Sequence, residues 1–224
     1  MISSSSKVQQ QHHTSYRTKK QVKRLSLSKF NQRIVKIMIV GNGSTGKTCL
    51  FTRLSQQRFP GGVDEYIPVT VDPCTQTVNL TKHVPSELSF TVELIDTASG
   101  EYYHTIREHT YAQVDLILVA YSCVDSNSLE NVTYSWIPEA RNHAPQTPII
   151  LVANKIDLRN NQEVVSRKQP IPFEEGEKVA KKNGCISFLE TSALSDEGCS
   201  DFLEICVKAV MLSKNEESSS CCLQ

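Results

Sequence analysis

The chain has 224 residues, with 24 Lys and Arg against 24 Asp and Glu, and its eight cysteines form no CxxC pair. That length supports one domain with a real core plus tails. No apolar run is long enough to span a membrane and no secretory h-region is present, so reduced thiols in the cytosol are expected. No nucleic-acid partner is expected.

Residues 1–33 read as a disordered basic arm. Lys19, Lys20, Lys23, Arg24, Lys29 and Arg33 crowd it, no acid occurs before Asp64, and Ser3 to Ser6 and Gln9 to Gln11 lack core-forming residues. The folded domain is expected over 34–214. Its first apolar run, Ile34 to Val40, predicts a strand, and Cys49 to Gln57 predicts a helix.

Between them stands Gly41-Asn42-Gly43-Ser44-Thr45-Gly46-Lys47-Thr48, a phosphate-binding loop in a strand-to-helix setting. The glycines let several backbone N–H groups converge on a β-phosphate. Lys47 reaches the β- and γ-phosphates as a point charge, and Thr48 offers its hydroxyl to Mg2+.

Three later motifs each end a β-like run. Asp96-Thr97-Ala98 follows Phe90 to Ile95, where a carboxylate binds Mg2+ through water. Asn154-Lys155-Ile156-Asp157 follows Ile149 to Val152, at the strand end where open α/β sheets bind ligands. A carboxylate there accepts from guanine N1–H and the 2-amino group, a donor pair adenine lacks, which argues against an ATPase. Thr191-Ser192-Ala193-Leu194 follows Ile186 to Glu190, where backbone N–H groups meet the guanine oxygen. Each motif alone is short; four in this order predict GTP or GDP with Mg2+.

Strands alternating with helix-length segments predict a mainly parallel sheet covered on both faces. A last helix from Ser195 carries Phe202, Ile205, Cys206, Ala209 and Val210 on one stripe, which is expected to be core. The histidines lack ligand spacing: His12-His13 lies in the arm, and His104 and His109 are expected at the surface.

With these motifs in place, residues 34–214 resemble a small GTPase of the Ras superfamily, and within it the Rho/Rac branch. Phe59-Pro60-Gly61, Glu65-Tyr66-Ile67-Pro68 and Asp72 resemble the Rho switch I region, and Asp115 to Arg159 resembles Rac, including Trp136-Ile137-Pro138-Glu139. The segment near 159–172 is longer than its Ras or Rab counterparts and shorter than a typical Rho insert. Glu174-Glu175-Gly176-Glu177 is more similar to a Rab helix. The resemblance implies a three-layer Ras-like fold with a mostly parallel six-stranded sheet. It implies nucleotide contacts from the phosphate loop, Cys49, Phe59, Asp96, Asn154, Lys155, Asp157, Ser192, Ala193 and Leu194. It also implies effectors and exchange factors at the switch regions, with Tyr66, Ile67, Pro68, Val69, Thr70, Val71 and Asp72 as the effector segment.

Two departures from the family pattern stand out. The family follows its Asp with Thr-Ala-Gly-Gln, whose glutamine orients the attacking water. Here Asp96-Thr97-Ala98-Ser99-Gly100-Glu101 matches Rac without a gap onward to Asp115, so Gly100 takes the glutamine position. A one-residue slip puts Glu101 there; neither register supplies a glutamine. Glycine positions no water and glutamate brings negative charge toward the γ-phosphate, so weak hydrolysis is expected. In switch I, Val69 stands where the family has a metal-binding threonine, with Thr70 one place late. An insertion near Gly62-Val63-Asp64 brings Thr70 into line with Mg2+, while Asp72 argues against a simple shift. A switch that cycles slowly and a pseudo-GTPase scaffold that holds nucleotide without cycling both remain open.

The tail, 215–224, ends Cys221-Cys222-Leu223-Gln224, a CaaX box with Cys221 as the prenylated thiol and a terminal Gln favouring farnesyl. Double prenylation of the paired cysteines ranks second. One lipid chain anchors marginally, and the tail before it is acidic and neutral, not basic. Strand and helix directions bring the start of the domain and its tail to the face opposite the nucleotide. The basic arm therefore either joins the prenyl group at an anionic leaflet, at about 1 kcal/mol per basic residue, or merely solubilises the chain. The cytoplasmic face of the plasma membrane with a cytosolic pool, and a prenyl-binding chaperone, follow as expectations.

Overall fold

The computed structural model describes residues 34–62, 68, 73–80 and 88–220. The basic arm, Tyr66, Ile67, Val69, Thr70, Val71, Asp72 and Cys221 lie outside these residues. The strands are β1 (Ile34–Val40), β2 (Cys74–Leu80), β3 (Leu88–Asp96), β4 (Leu116–Ser122), β5 (Ile149–Asn154) and β6 (Ser187–Glu190). They form one six-stranded sheet in the order β2-β3-β1-β4-β5-β6. Only β2 with β3 is antiparallel; the other four pairings are parallel.

The helices are α1 (Lys47–Gln56), α2 (His104–Tyr111), α3 (Ser126–Asn131), α4 (Ile137–His143), α5 (Gln162–Val165), α6 (Phe173–Lys182) and α7 (Phe202–Ser220). A π-helical turn, Val132–Trp136, joins α3 to α4. Alternate residues of each strand feed the two faces of the sheet. Ile37, Ile39, Leu118, Ala120, Ile150 and Val152 pack with Leu50 and Phe51 of α1 and with Phe202, Cys206 and Val210 of α7. Met38, Val40, Ile117, Val119, Tyr121, Ile149 and Leu151 pack with Tyr111, Leu129, Ile137, Ala140 and Ala180. The strands buried on both faces are β4 and β5, which accounts for their unbroken apolar runs.

Two helix starts differ from the sequence expectation. Helix α1 begins at Lys47, because its first turn continues straight from the loop, with Leu50 N donating to Gly46 O at 2.9 Å. The last helix begins at Phe202, not Ser195. Asp196 and Gly198 hold φ of 66° and 71°, outside helical space, and a Cβ on Gly198 would stand 2.0 Å from Glu190 O. Backbone helix then runs to Ser220, with no Gly or Pro to stop it. The predicted core stripe holds: Phe202, Cys206, Ala209 and Val210 are buried and Ile205 is partly so.

The 159–172 segment docks through Ile171, which is 4% exposed and whose N–H bonds Cys123 O at 2.7 Å. Arg159 donates to Ile171 O at 3.2 Å and to Glu190 Oε2 at 3.0 Å, pinning the segment to the end of β6. The turn α5 is capped by Asn161, whose side chain accepts from Glu163 N and Val164 N.

Candidate functional site: the phosphate loop and the base-side loops

The four predicted motifs converge at the carboxyl ends of β1, β3, β5 and β6. Gly41 has a φ of 142°, and a Cβ there would stand 2.1 Å from Ala120 O, so only glycine lets the loop leave β1 against β4. Ser44 and Gly46 are both left-handed, at 60° and 89°. Such turns gather N–H groups into a concave anion-binding nest.

Lys47 is 6% exposed, and its Nζ donates to Gly41 O at 2.8 Å and Asn42 O at 2.7 Å. Burial pushes its pKa down to about 8, while the Asp96 carboxylate pulls the other way. Thr48 Oγ1 donates to Asp96 Oδ2 at 2.7 Å, joining two of the predicted metal-binding groups across 48 residues of sequence. Thr97 Oγ1 donates to Ile39 O at 2.6 Å and so sets the exit of β3 beside β1.

On the base side, Asn154 Nδ2 donates to Thr45 O at 3.0 Å and Asn154 Oδ1 accepts from Thr191 Oγ1 at 2.7 Å. One side chain thus locks three motifs together. Ser192 Oγ donates to Asp157 Oδ1 at 2.6 Å and accepts from Ser195 N at 3.0 Å, fixing the orientation of the partly exposed carboxylate. Lys155 is left-handed at 64°, and its Cε lies 3.5 Å from where a Cβ on Gly46 would be. Its stem therefore runs alongside the phosphate loop. Ala193 is partly exposed and Leu194 exposed; Cys49 and Phe59 are partly exposed.

Sequence reasoning missed the residues that brace these loops. Arg53 of α1 donates to Ala193 O at 2.7 Å and Leu194 O at 3.4 Å, supporting the base-side loop from behind. Trp136 Nε1 donates to Asn42 Oδ1 at 2.6 Å. Arg107, 4% exposed, donates to Ala98 O at 2.9 Å and Gly100 O at 3.0 Å and pairs with Glu139 at 2.9 Å. Its guanidinium also lies 5.2 Å from the centroid of the Trp136 ring. No local pattern marks these residues, whose partners are far off in the chain.

No ligand spacing links the histidines in the sequence, but the fold brings two of them to one carboxylate. His104, Glu108 and His143 come together, with one ligand atom from each lying within 4.8 Å of the others. His143 is too distant in sequence for spacing to reveal it. His109 is exposed, as expected.

The donor set suits a nucleotide triphosphate with a hard cation. The glycine-dependent nest and Lys47 would hold the phosphates, Thr48 and Asp96 the Mg2+, and Asp157 the base edge. Fold and site together define an α/β phosphate-loop protein. The sequence model of the Ras family matches residues 36–212, and the chain belongs to that family. It is a small GTPase of the Ras superfamily, whose members bind guanine nucleotide, generally with Mg2+, and act as GTP-binding switches.

Proposed function

We propose that this GTPase is a Rho/Rac-type switch with impaired GTP hydrolysis that signals to effectors at membranes, in cytoskeletal or traffic control. The carrying observation is Gly100 at the position of the water-orienting glutamine. Gly100 is exposed with φ −65° and ψ 149°, and a Cβ there would meet only the Tyr103 ring, at 3.6 Å. A glutamine therefore fits the backbone that Arg107 holds. Ser99 Oγ stands 3.3 Å from a Cβ built on Gly43, so the residue before Gly100 faces the phosphate loop.

Bound GTP and Mg2+ supply the phosphoryl group and the Lewis acid. The chain contributes Lys47 as fixed positive charge, the nest as oriented dipoles, and no side chain at 100 to orient water. A GTP-bound state of long lifetime follows, read by effectors and exchange factors at the switch segments.

Membrane attachment rests on Cys221 and on the geometry of the opposite pole. Lys214 Nζ lies 2.6 Å from Asp115 Oδ1, and Asp115 Oδ2 accepts from Lys36 N at 2.9 Å. That chain of contacts supports the basic arm and the prenyl tail leaving one face, toward the cytoplasmic side of the plasma membrane. A prenyl-binding chaperone would account for a cytosolic pool.

Single-turnover GTP hydrolysis by the purified chain, beside Gly100→Gln, tests the reading. Slow turnover raised about tenfold or more by glutamine, about 1.4 kcal/mol of barrier, is expected. Ordinary wild-type turnover, or no gain from glutamine, would refute it. Val69 at the usual threonine position favours a second reading, a scaffold that holds nucleotide without cycling. Exchange kinetics separate the two, because a scaffold would not release GDP to an exchange factor.

A further inference from the structure

We propose that His104, Glu108 and His143 form a zinc-type site for a divalent transition metal that ties α2 to the end of α4. His104 and Glu108 lie one turn apart on α2, and His143 is the last residue of α4. His104 Nδ1 stands 3.4 Å from Glu108 Oε1, and His143 Nε2 stands 3.3 Å from that same oxygen. Charge-assisted hydrogen bonds of this kind run shorter, about 2.7–2.9 Å. Tetrahedral zinc with nitrogen and oxygen ligands near 2.0–2.1 Å instead sets its ligand atoms about 3.3 Å apart. Two contacts to the Glu108 oxygen already have that length, and one ligand atom from each of the three residues lies within 4.8 Å of the others.

The ligands are held in place before any ion arrives. The His143 ring stacks on Tyr111 at 5.9 Å with 9° between the planes, and its side chain is 23% exposed. His104 turns its other nitrogen, Nε2, toward Glu139 Oε2 at 3.7 Å. A carboxylate behind a ligand histidine is the usual supporting arrangement in such sites, and Arg107 and Tyr111 fix Glu139 in turn. Two imidazoles and one carboxylate suit Zn2+ rather than Mg2+ or Ca2+, with the fourth position left to water. His104 is 48% exposed, which gives the ion an entry path. The helix so clamped follows Gly100 after a single 3-10 turn, Glu101–Tyr103, so the ion would steady the segment after Gly100 independently of the nucleotide site.

The test uses the full chain loaded with GDP and saturating Mg2+, titrated with Zn2+ by calorimetry and with Co2+ by absorption. One equivalent of Co2+ is expected, with d–d bands and no thiolate charge-transfer band, which separates this site from the cysteine tail. His143→Gln and Glu108→Gln should each weaken binding about tenfold or more, whereas the double change His12→Gln and His13→Gln should not. Retained GDP affinity shows that the variants are folded. Zn2+ should slow hydrogen exchange across residues 104–111 in the wild type and not in His143→Gln. Absence of stoichiometric binding, a thiolate band, indifference to both variants, or unchanged exchange would each overturn the proposal.

Discussion

Trp136 donates its indole N–H to the Asn42 side chain at 2.6 Å while the Arg107 guanidinium lies over the same ring at 5.2 Å. One side chain in a π-helical turn thus touches both the phosphate loop and the anchor of the Ser99–Gly100 segment. Trp136→Phe keeps an aromatic surface and removes the donor. A loss of about 1–2 kcal/mol in denaturant unfolding is expected, with faster GDP release. Adding Asn42→Ala to that variant should cost little more, because the interaction is already gone.

Arg107 and Glu139 form a largely buried pair, 4% and 16% exposed at the side chain, and Tyr111 Oη adds a bond to Glu139 at 3.1 Å. Arg107→Met strands the carboxylate and frees Ala98 O and Gly100 O, so about 3–5 kcal/mol of destabilisation is expected. Glu139→Gln combined with Arg107→Met should cost clearly less than the sum of the single changes. Chemical denaturation of the four proteins decides the matter, and additive losses would show that the pair is not coupled.

Gly176 faces the far side of the sheet, where a Cβ would stand 2.2 Å from Tyr121 Oη and 2.5 Å from Phe188 Cζ. Gly176→Ala should therefore cost about 1–3 kcal/mol through overpacking. Tyr121 Oη is buried and has no hydrogen-bond partner among the described residues. Tyr121→Phe removes an unsatisfied hydroxyl and should be neutral or stabilising by about 1 kcal/mol. It should also partly rescue Gly176→Ala, which thermal unfolding of the double variant measures.

Much of this was legible in the sequence, for physical reasons. Strands β4 and β5 are apolar throughout because both faces are buried, and Gly41 and Lys47 sit in a loop whose chemistry is local. What escaped was everything decided by packing between distant segments. Asp196 and Gly198 take a left-handed path that no helical stripe announces, so α7 starts late. Arg53 reaches the 193–194 carbonyls, and His143 meets His104, only because the sheet order brings their helices together. The brace that Asn154 makes to Thr45 and Thr191 joins three motifs and is visible only once the sheet has brought them together.

Four thiols give a pH dependence with a definite sign. Burial raises Cys123 from 9.0 to about 11 and both Cys185 and Cys199 to about 12, and Cys206 is raised as well. A folded-state pKa above the unfolded value holds protons in the native state that the unfolded chain has released. Their contribution to stability should be fully present below pH 9 and lost as pH rises through 11 to 12. Denaturation midpoints measured from pH 7 upward check this, as does slow alkylation of the buried Cys123, Cys199 and Cys206 beside the partly exposed Cys74.

The most direct test of the account is competition among nucleotides for the purified chain, in wild type and Asp157→Ala. GTP and GDP should displace a fluorescent guanine nucleotide, and ATP should be weaker by about 10⁴-fold, because the carboxylate set by Ser192 is left unmatched by adenine. Asp157→Ala should remove most of that preference while the phosphate loop still binds. ATP competing as well as GTP, or a preference untouched by Asp157→Ala, would contradict it.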